Sequence, residues 1–231
     1  MQKQMKKSWR AACVWLALFV VWTVLVRLVE VRPIGPRGSS VGFATVNQAV
    51  HNATGVHMVL YTLTDWLGLV PIAVCLVFGL VGLVQWIRRR RLLSVDRDLL
   101  ALGGFYVAVM AVFLFFETVV INYRPVLIEG ILEASYPSST TLLVMCVMPT
   151  AMMQVKKRIG CRVLKRGILL AMLCFTVGTV VCRVISGVHW ITDIIGGALL
   201  SAGLVTGYAA VSVQKKSQIK KTVKKRKNPL A

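Results

Sequence analysis

Arg183, His189 and Asp193 have the types and spacing of residues that carry phosphoryl chemistry. They lie between two apolar runs of membrane length, where charged side chains cost free energy and are therefore candidates for function. His189 and Asp193 are four residues apart, so on one helix they share a face. A carboxylate that binds one imidazole nitrogen leaves the other free as base or nucleophile. Arg183 adds a planar set of donors that suits phosphate oxygens.

The composition is that of an integral membrane protein. The 231 residues are 57% hydrophobic and have a mean hydropathy of +0.73, above the range of an ordinary soluble domain. A net charge of +20 and a pI near 10.4 could indicate nucleic-acid binding. The basic residues, however, cluster between apolar runs, as in the cytoplasmic loops of membrane proteins. We therefore predict a single transmembrane domain, residues 1–231, with no nucleic-acid partner.

Six apolar runs are long enough to cross a bilayer as helices, which takes about 20 residues each. The predicted fold class is therefore all-α, an integral membrane bundle of six transmembrane helices. The fourth run is the shortest and contains Pro149. A further stretch, residues 41–61, has the pattern of an amphipathic helix on the outer surface. The six predicted spans are residues 11–29, 67–87, 99–121, 140–155, 167–185 and 191–213.

The basic residues predict the orientation in the membrane. If the N-terminus lies inside, 23 of the 28 Lys and Arg residues fall in inner segments. The positive-inside rule then places both termini in the cytoplasm of a multi-pass plasma-membrane protein. Six of the eight acidic residues fall in the outer half, so the candidate site is expected to be extracytoplasmic. The basic cytoplasmic tail, residues 214–231, is expected to attract anionic lipid.

This topology brings three outer segments together. Residues 122–125 read Asn-Tyr-Arg-Pro, residues 136–140 read Tyr-Pro-Ser-Ser-Thr, and residues 182–193 contain the spaced Arg, His and Asp. Their order and spacing resemble the type 2 phosphatidic acid phosphatase (PAP2) superfamily. Its pattern is Lys, six residues, Arg-Pro; then Pro-Ser-Gly-His; then Ser-Arg, five residues, His, three residues, Asp. The resemblance covers about half of the chain, and bacterial members of the family share the six-helix architecture.

The resemblance implies a role for each matching residue. It implies that His189 is a nucleophile that takes the phosphoryl group as phosphohistidine, and that Asp193 orients it. It implies a lipid phosphate or diphosphate as substrate and requires no metal or other cofactor. Helix-start N–H groups can also bind an anion. The implied phosphate ligands are the side chains of Arg124, Arg183 and Ser138, with the backbone N–H groups of Ser139 and Thr140.

The chain departs from the family pattern at three positions. Glu117 stands where the family has its phosphate-binding lysine, Thr140 stands where it has a general-acid histidine, and Cys182 replaces a serine. Loss of a general acid costs about 10²–10⁴ in rate when the leaving group needs a proton. A phosphate leaving group departs as a stable anion. The missing histidine at position 140 therefore favours undecaprenyl or another prenyl diphosphate over the phosphate monoesters phosphatidylglycerophosphate and phosphatidic acid.

Other interpretations stay open at this stage. A protein of this fold without the lysine and the acid could bind lipid phosphates, or scaffold a partner, without turnover. His51 or His57 in the outer segment could replace the missing acid. The Arg-His-Asp set could instead be a buried ion network that joins two helices. A transporter is the least favoured, because the sequence shows no internal repeat. The oligomeric state is not predicted.

Overall fold

A computed structural model describes residues 2–91 and 94–227, with side chains described as far as Ser212. Over these residues the regular structure is helical, and β-pairing is limited to isolated bridges. A short 3-10 turn at Pro36–Gly38 precedes the second helix. The helices are α1 Gln2–Leu28, α2 Ala44–Thr54, α3 Met58–Leu67, α4 Leu69–Arg89, α5 Arg97–Thr118, α6 Ser139–Arg158, α7 Arg162–Ile185 and α8 Ile191–Lys227.

The chain is a multi-pass helical membrane bundle. Five helical segments in the described part of the chain are long and apolar enough to cross a membrane. They confirm the predicted all-α membrane fold. They match the predicted spans one, two, three, five and six, with somewhat different ends. The five segments are Met5–Leu28, Met58–Arg89, Arg97–Thr118, Arg162–Ile185 and Ile191–Ser212.

The predicted fourth span corresponds to α6, which is less apolar than the other five. Helix α6 packs against α4, α5, α7 and α8, and half of its 20 residues are buried. Protein neighbours can satisfy polar side chains that lipid cannot. Gln154 of α6, for example, donates to the hydroxyl of Tyr208 on α8 at 2.7 Å. The position of α6 inside the bundle thus explains its lower hydropathy.

The prediction of one amphipathic helix over residues 41–61 is wrong. Helix α2 ends within this stretch, at Gly55, whose φ is 67°. Glycine is the usual residue at such a helix end because it has no Cβ to clash. Helix α3 then begins at Met58 and continues across Gly68 into α4. Only the first half of the predicted helix is therefore a separate element, and the second half belongs to an apolar segment of membrane length.

A close backbone contact fixes the connection between α7 and α8. Gly187, with a φ of 67°, approaches Gly55 so closely that a Cβ would lie 1.8 Å from the Gly55 carbonyl oxygen. Next to it, the backbone N–H of His57 donates to the carbonyl of Ser186 at 2.9 Å. The segment between α2 and α3 therefore holds the backbone two residues before His189.

The first turn of α8 is held by α2. Asn47 is fully buried, and its amide donates to the hydroxyl of Thr192 at 3.1 Å. Its oxygen accepts from the backbone N–H of Thr192 at 3.3 Å. The second bond satisfies one of the backbone donors that a helix start leaves unpaired. Together the two bonds fix the rotation of α8, and with it the direction of Asp193 one residue further on.

Candidate active site

Asp193 lies in the first turn of α8, where three donors hold its carboxylate. The amide of Asn122 donates to Oδ1 at 3.2 Å. The hydroxyl of Ser135 donates to Oδ2 at 2.5 Å and the backbone N–H of Trp190 donates to the same oxygen at 3.0 Å. Asp193 is fully buried. An ionised carboxylate in such a place needs these hydrogen bonds, so its position is strongly determined.

His189 lies in the connection between α7 and α8 and is 5% exposed. Its Nδ1 is 3.9 Å from Oδ2 of Asp193, which is too long for a hydrogen bond. The hydroxyl of Ser135 lies against both groups, with its oxygen 2.9 Å from Nδ1. The structure thus brings the predicted pair together, but the hydrogen-bonded route between them passes through Ser135.

The two arginines converge on this histidine from different elements. Nη1 of Arg124 donates to Nε2 of His189 at 3.3 Å, and Nε of Arg124 is 3.0 Å from a carboxylate oxygen of Glu133. Arg183, from the last turn of α7, is 1% exposed and donates to the hydroxyl of Thr64 at 3.0 Å. Both guanidinium groups lie over the ring of Tyr61, at 5.6 Å and 4.9 Å from its centroid.

The surroundings of the histidine favour its neutral form. Burial, and then the positive charges of Arg124 and Arg183, place the pKa of His189 well below its ordinary value, although the backbone of Ser135 partly opposes this. The acidic partner of Arg183, Asp65, is 3.9 Å away and largely exposed. Nε of Arg183 is buried without a hydrogen-bond partner. Two buried guanidinium groups beside a neutral imidazole form a site suited to an anion.

The predicted ligands at the start of α6 differ in their surroundings. Ser138 is fully buried. Its backbone N–H donates to the carbonyl of Asp193 at 3.1 Å, and its hydroxyl oxygen accepts from Thr141 at 3.0 Å. Ser139 lines a cavity of about 10 Å³ together with His189, a volume close to that of one water molecule. The N–H groups of Ser139 and Thr140 belong to the first turn of α6, which has no intrahelical acceptors for them.

A larger cavity of about 370 Å³ begins beside these residues and runs between α4, α5 and α6. Asp65, Ser139 and Thr140 line its polar part. The remaining wall is mainly aliphatic and aromatic, and a cavity of this composition and size fits an apolar chain. Six of its apolar residues are Leu69, Ile72, Val109, Met110, Leu143 and Val147.

Glu117 lies in the wall of the small cavity that it shares with His189. Among the described residues it forms no ion pair with either arginine, because Arg124 pairs with Glu133 and Arg183 with Asp65. Glu117 is therefore not paired with an arginine of the site. An acidic residue lies in the wall beside the nucleophile candidate, where the family pattern has a lysine.

Among the described residues, neither His51 nor His57 hydrogen-bonds to a side chain of the site. The ring of His51 packs against Trp190 with centroids 5.5 Å apart. The Nε2 of His57 is 2.9 Å from the carbonyl of Thr54, and this side chain is exposed. Both histidines support the chain segments around His189, and the structure supplies no contact that would make either one the general acid.

Several residues of the site could not be assigned from the sequence. Asn122 was included in the segment that carries Arg124 but was given no role, and Ser135 lies just before the segment that begins at Tyr136. Tyr61 and Thr64 belong to α3, which the sequence did not connect with the site. A polar residue adjacent to a recognised motif was the only signal available for Ser135, and no signal pointed to α3.

No protein-family model and no curated protein matches this sequence. The structure, however, is similar to the crystal structure of a transmembrane PAP2-type phosphatidylglycerolphosphate phosphatase from Bacillus subtilis. The TM-score is 0.58 at 16% sequence identity, and the alignment covers 89% of this chain and 96% of the other. This likeness confirms the PAP2-like fold that the three motifs predict.

Proposed function

We propose that this protein is a membrane phosphatase that hydrolyses a lipid diphosphate or phosphate through a histidine nucleophile. The observation that carries the proposal is the arrangement of His189. Its Nε2 lies beside Arg124, and the guanidinium groups of Arg124 and Arg183 both lie over the ring of Tyr61. Ser139 lines both the small cavity that contains His189 and the larger apolar cavity. The similar protein from Bacillus subtilis is a phosphatidylglycerolphosphate phosphatase, which supports a phosphorylated lipid as the substrate class.

The chemistry follows from these positions. Nε2 of His189 attacks phosphorus, the bond from phosphorus to the lipid-side oxygen breaks, and that oxygen leaves with the bonding electrons. Arg124, Arg183 and the first N–H groups of α6 stabilise the charge that develops on the other phosphoryl oxygens. Water then attacks the phosphohistidine, the bond from phosphorus to Nε2 breaks, and inorganic phosphate is released. All of these groups belong to the protein, and no cofactor enters the scheme.

We further propose that the site faces the extracytoplasmic side of a bacterial plasma membrane, with both termini in the cytoplasm. The site residues lie at the end of α7 and the starts of α6 and α8. The basic residues cluster at the opposite ends of the helices. One of them, Lys157, forms an ion pair with Asp98. Within the proposed tail, α8 continues to Lys227, and residues 228–231 lie outside the described part. The tail is proposed to contact anionic lipid.

A non-catalytic lipid-phosphate binder is the second candidate function. It is favoured by Glu117 in the wall beside His189 and by Thr140 at the position of the family's general acid. Both candidates predict that the site binds a lipid phosphate. They differ in whether phosphate is released, so turnover decides between them.

The deciding experiment is phosphate release by detergent-purified protein given undecaprenyl diphosphate, phosphatidylglycerophosphate and phosphatidic acid in parallel. We expect release, with the diphosphate turned over fastest. Circular dichroism and a thermal melt of the same preparation establish that the protein is folded. A folded protein that binds these lipids but releases no phosphate from any of them would contradict the phosphatase and support the binder.

Replacing Arg183 by lysine is expected to lower kcat/KM by about 10- to 100-fold, since lysine keeps the charge and loses the planar fork. The loss of the bond to Thr64 and of the contact with Tyr61 adds to this effect. The measurement is the initial rate of phosphate release over a range of lipid concentrations.

Arg32→Lys is the matched control for that change. Arg32 is exposed and pairs with Glu30 at 3.1 Å, away from the network around His189. Its replacement is expected to leave the rate within twofold, as is usual for exposed ion pairs. Equal rates for wild type and Arg183→Lys would mean that Arg183 is not a phosphate ligand.

A further inference from the structure

We propose that Ser135 is a positioning residue that links Asp193 to His189 and selects the imidazole tautomer with the proton on Nδ1. The hydrogen-bond argument depends only on the structure. The consequence for catalysis rests on the proposed function of His189 as a nucleophile.

The hydroxyl of Ser135 lies between His189 and Asp193. Nδ1 of His189 and Oδ2 of Asp193 are separated by 3.9 Å, whereas the hydroxyl oxygen of Ser135 is 2.9 Å from the first and 2.5 Å from the second. A side-chain contact of about 3.6 Å or more is too long to be a hydrogen bond. The two short contacts are hydrogen bonds and the long one is not, so Asp193 acts on the ring through the serine.

The protons shared by Asp193, Ser135 and His189 can be assigned from what each group can donate. An ionised carboxylate only accepts hydrogen bonds. Ser135 therefore gives its single proton to Asp193, and its oxygen can only accept from the ring. Nδ1 must then carry the ring proton, which leaves a lone pair on Nε2.

Arg124 constrains the tautomer of His189 independently, from the Nε2 side of the ring. A guanidinium group has donors and no acceptor, and Nη1 of Arg124 lies 3.3 Å from Nε2 of His189. Nε2 can take part in that contact only as an acceptor. Neighbours on opposite sides of the imidazole thus demand the same tautomer, although they come from different positions in the chain.

The surrounding chain holds the hydroxyl of Ser135 in place. Ser135 is 2% exposed, and its backbone N–H donates to the carbonyl of Asn122 at 2.9 Å. The next residue, Tyr136, is fixed by a 2.7 Å hydrogen bond between its hydroxyl and that of Thr23 on α1. Both hydrogen-bonding roles of the Ser135 hydroxyl are occupied within the protein. It is therefore suited to position the ring and not to bind the phosphate itself.

In the proposed reaction the proton on Nδ1 stays in place through both steps. When the bond from Nε2 to phosphorus forms, the ring becomes positively charged, and the Ser135 hydroxyl passes the stabilising effect of the Asp193 carboxylate to Nδ1–H. When water cleaves the phosphohistidine, the electrons of the N–P bond return to Nε2 and both protons of the water leave with the inorganic phosphate. Ser135 is neither protonated nor deprotonated overall.

The test is nitrogen NMR of protein labelled with ¹⁵N-histidine in detergent or nanodiscs. The chain has three histidines, so His51→Gln and His57→Gln variants assign the signals. In the wild type we expect His189 to be protonated at Nδ1 and bare at Nε2. In Ser135→Ala, where Arg124 still favours the same tautomer, we expect the Nδ1–H signal to shift and to exchange faster with water. We also expect a phosphate-release rate lower by about 10- to 100-fold, the usual effect of losing such a supporting partner. Ser135→Thr, which keeps the hydroxyl, is expected to restore the Nδ1–H signal and most of the rate.

The outcomes separate this inference from the proposed function. A wild-type protein whose His189 is protonated at Nε2, or a Ser135→Ala variant with unchanged Nδ1–H signal and rate, overturns the role of Ser135 and leaves the phosphatase intact. A protein in which Ser135→Ala changes the Nδ1–H signal, but which releases no phosphate from any lipid, supports Ser135 and overturns the phosphatase. If Ser135→Ala does not fold, the wild-type and Ser135→Thr spectra still decide the tautomer.

Discussion

Replacing His189 by alanine is expected to abolish phosphate release, with kcat lower by at least about 10⁴-fold. Removal of a nucleophile that forms a covalent intermediate has effects of this order or larger, because no other group lies where Nε2 lies. Arg124 and Arg183 would still bind the lipid phosphate in the variant, so the loss is expected in kcat more than in KM. The measurement is phosphate release from undecaprenyl diphosphate over a range of lipid concentrations.

The covalent intermediate can be measured directly. Wild-type protein given lipid with a ³²P-labelled terminal phosphate and quenched within a turnover is expected to hold acid-labile, alkali-stable label, as a phosphohistidine does. His189→Ala is expected to hold none. His57→Ala is the matched control, because the His57 side chain is exposed and its one hydrogen bond in the described structure is to the carbonyl of Thr54, while its backbone bond to Ser186 is kept in the variant. Label retained by His189→Ala, or lost by His57→Ala, would place the nucleophile elsewhere.

The parts of the site that could be predicted are those encoded over short distances in the chain. His189 and Asp193 lie four residues apart, across the start of α8, so the chain itself keeps them near each other. Arg183 lies in the last turn of the preceding helix, and the glycine at position 187 allows the tight connection between them. Because these residues are close in the chain, the spacing of a sequence motif is enough to predict that they lie near one another.

The parts that could not be predicted depend on elements that meet only in the folded bundle. Ser135 reaches His189 because the segment between α5 and α6 folds back on itself, with a β-bridge between Tyr123 and Ala134. Tyr61 reaches both arginines because α3 is the first part of a long apolar segment, and this part lies beside α7. Neither contact has a local signature, since each depends on how distant helices pack.

The start of the second span is another feature that the sequence alone could not predict correctly. The apolar pattern places its start near residue 67, but the helix begins at Met58. Thr62, Thr64 and Asp65 lower the apparent hydropathy of that stretch. Thr64 satisfies its hydroxyl on backbone carbonyls of its own helix and accepts from Arg183. Polar residues of this stretch contribute to the site and lower the hydropathy of the stretch, so the apolar pattern places the start of the helix too late.

The second large effect concerns the leaving group. The purified protein is expected to turn over undecaprenyl diphosphate faster than phosphatidic acid by about 10²-fold or more, since the alkoxide released from phosphatidic acid needs a proton and the lipid phosphate released from the diphosphate does not. Replacing Thr140 by histidine is expected to raise the rate on phosphatidic acid by at least about tenfold and to leave the rate on the diphosphate nearly unchanged. The measurement is the ratio of kcat/KM for the two lipids in each variant.

The position of Thr140 makes this change practicable and its control sharp. Thr140 lies in the first turn of α6 and lines the 370 Å³ cavity, so a larger side chain has space on that side. Thr140→Gln supplies similar bulk and hydrogen bonding without an acidic proton, and is expected to gain nothing on phosphatidic acid. If glutamine gained as much as histidine, the effect would come from packing or binding and not from proton donation. Comparable wild-type rates on the two lipids would remove the leaving-group argument altogether, because a site without a general acid cannot treat a strongly basic alkoxide and a stable phosphate anion alike.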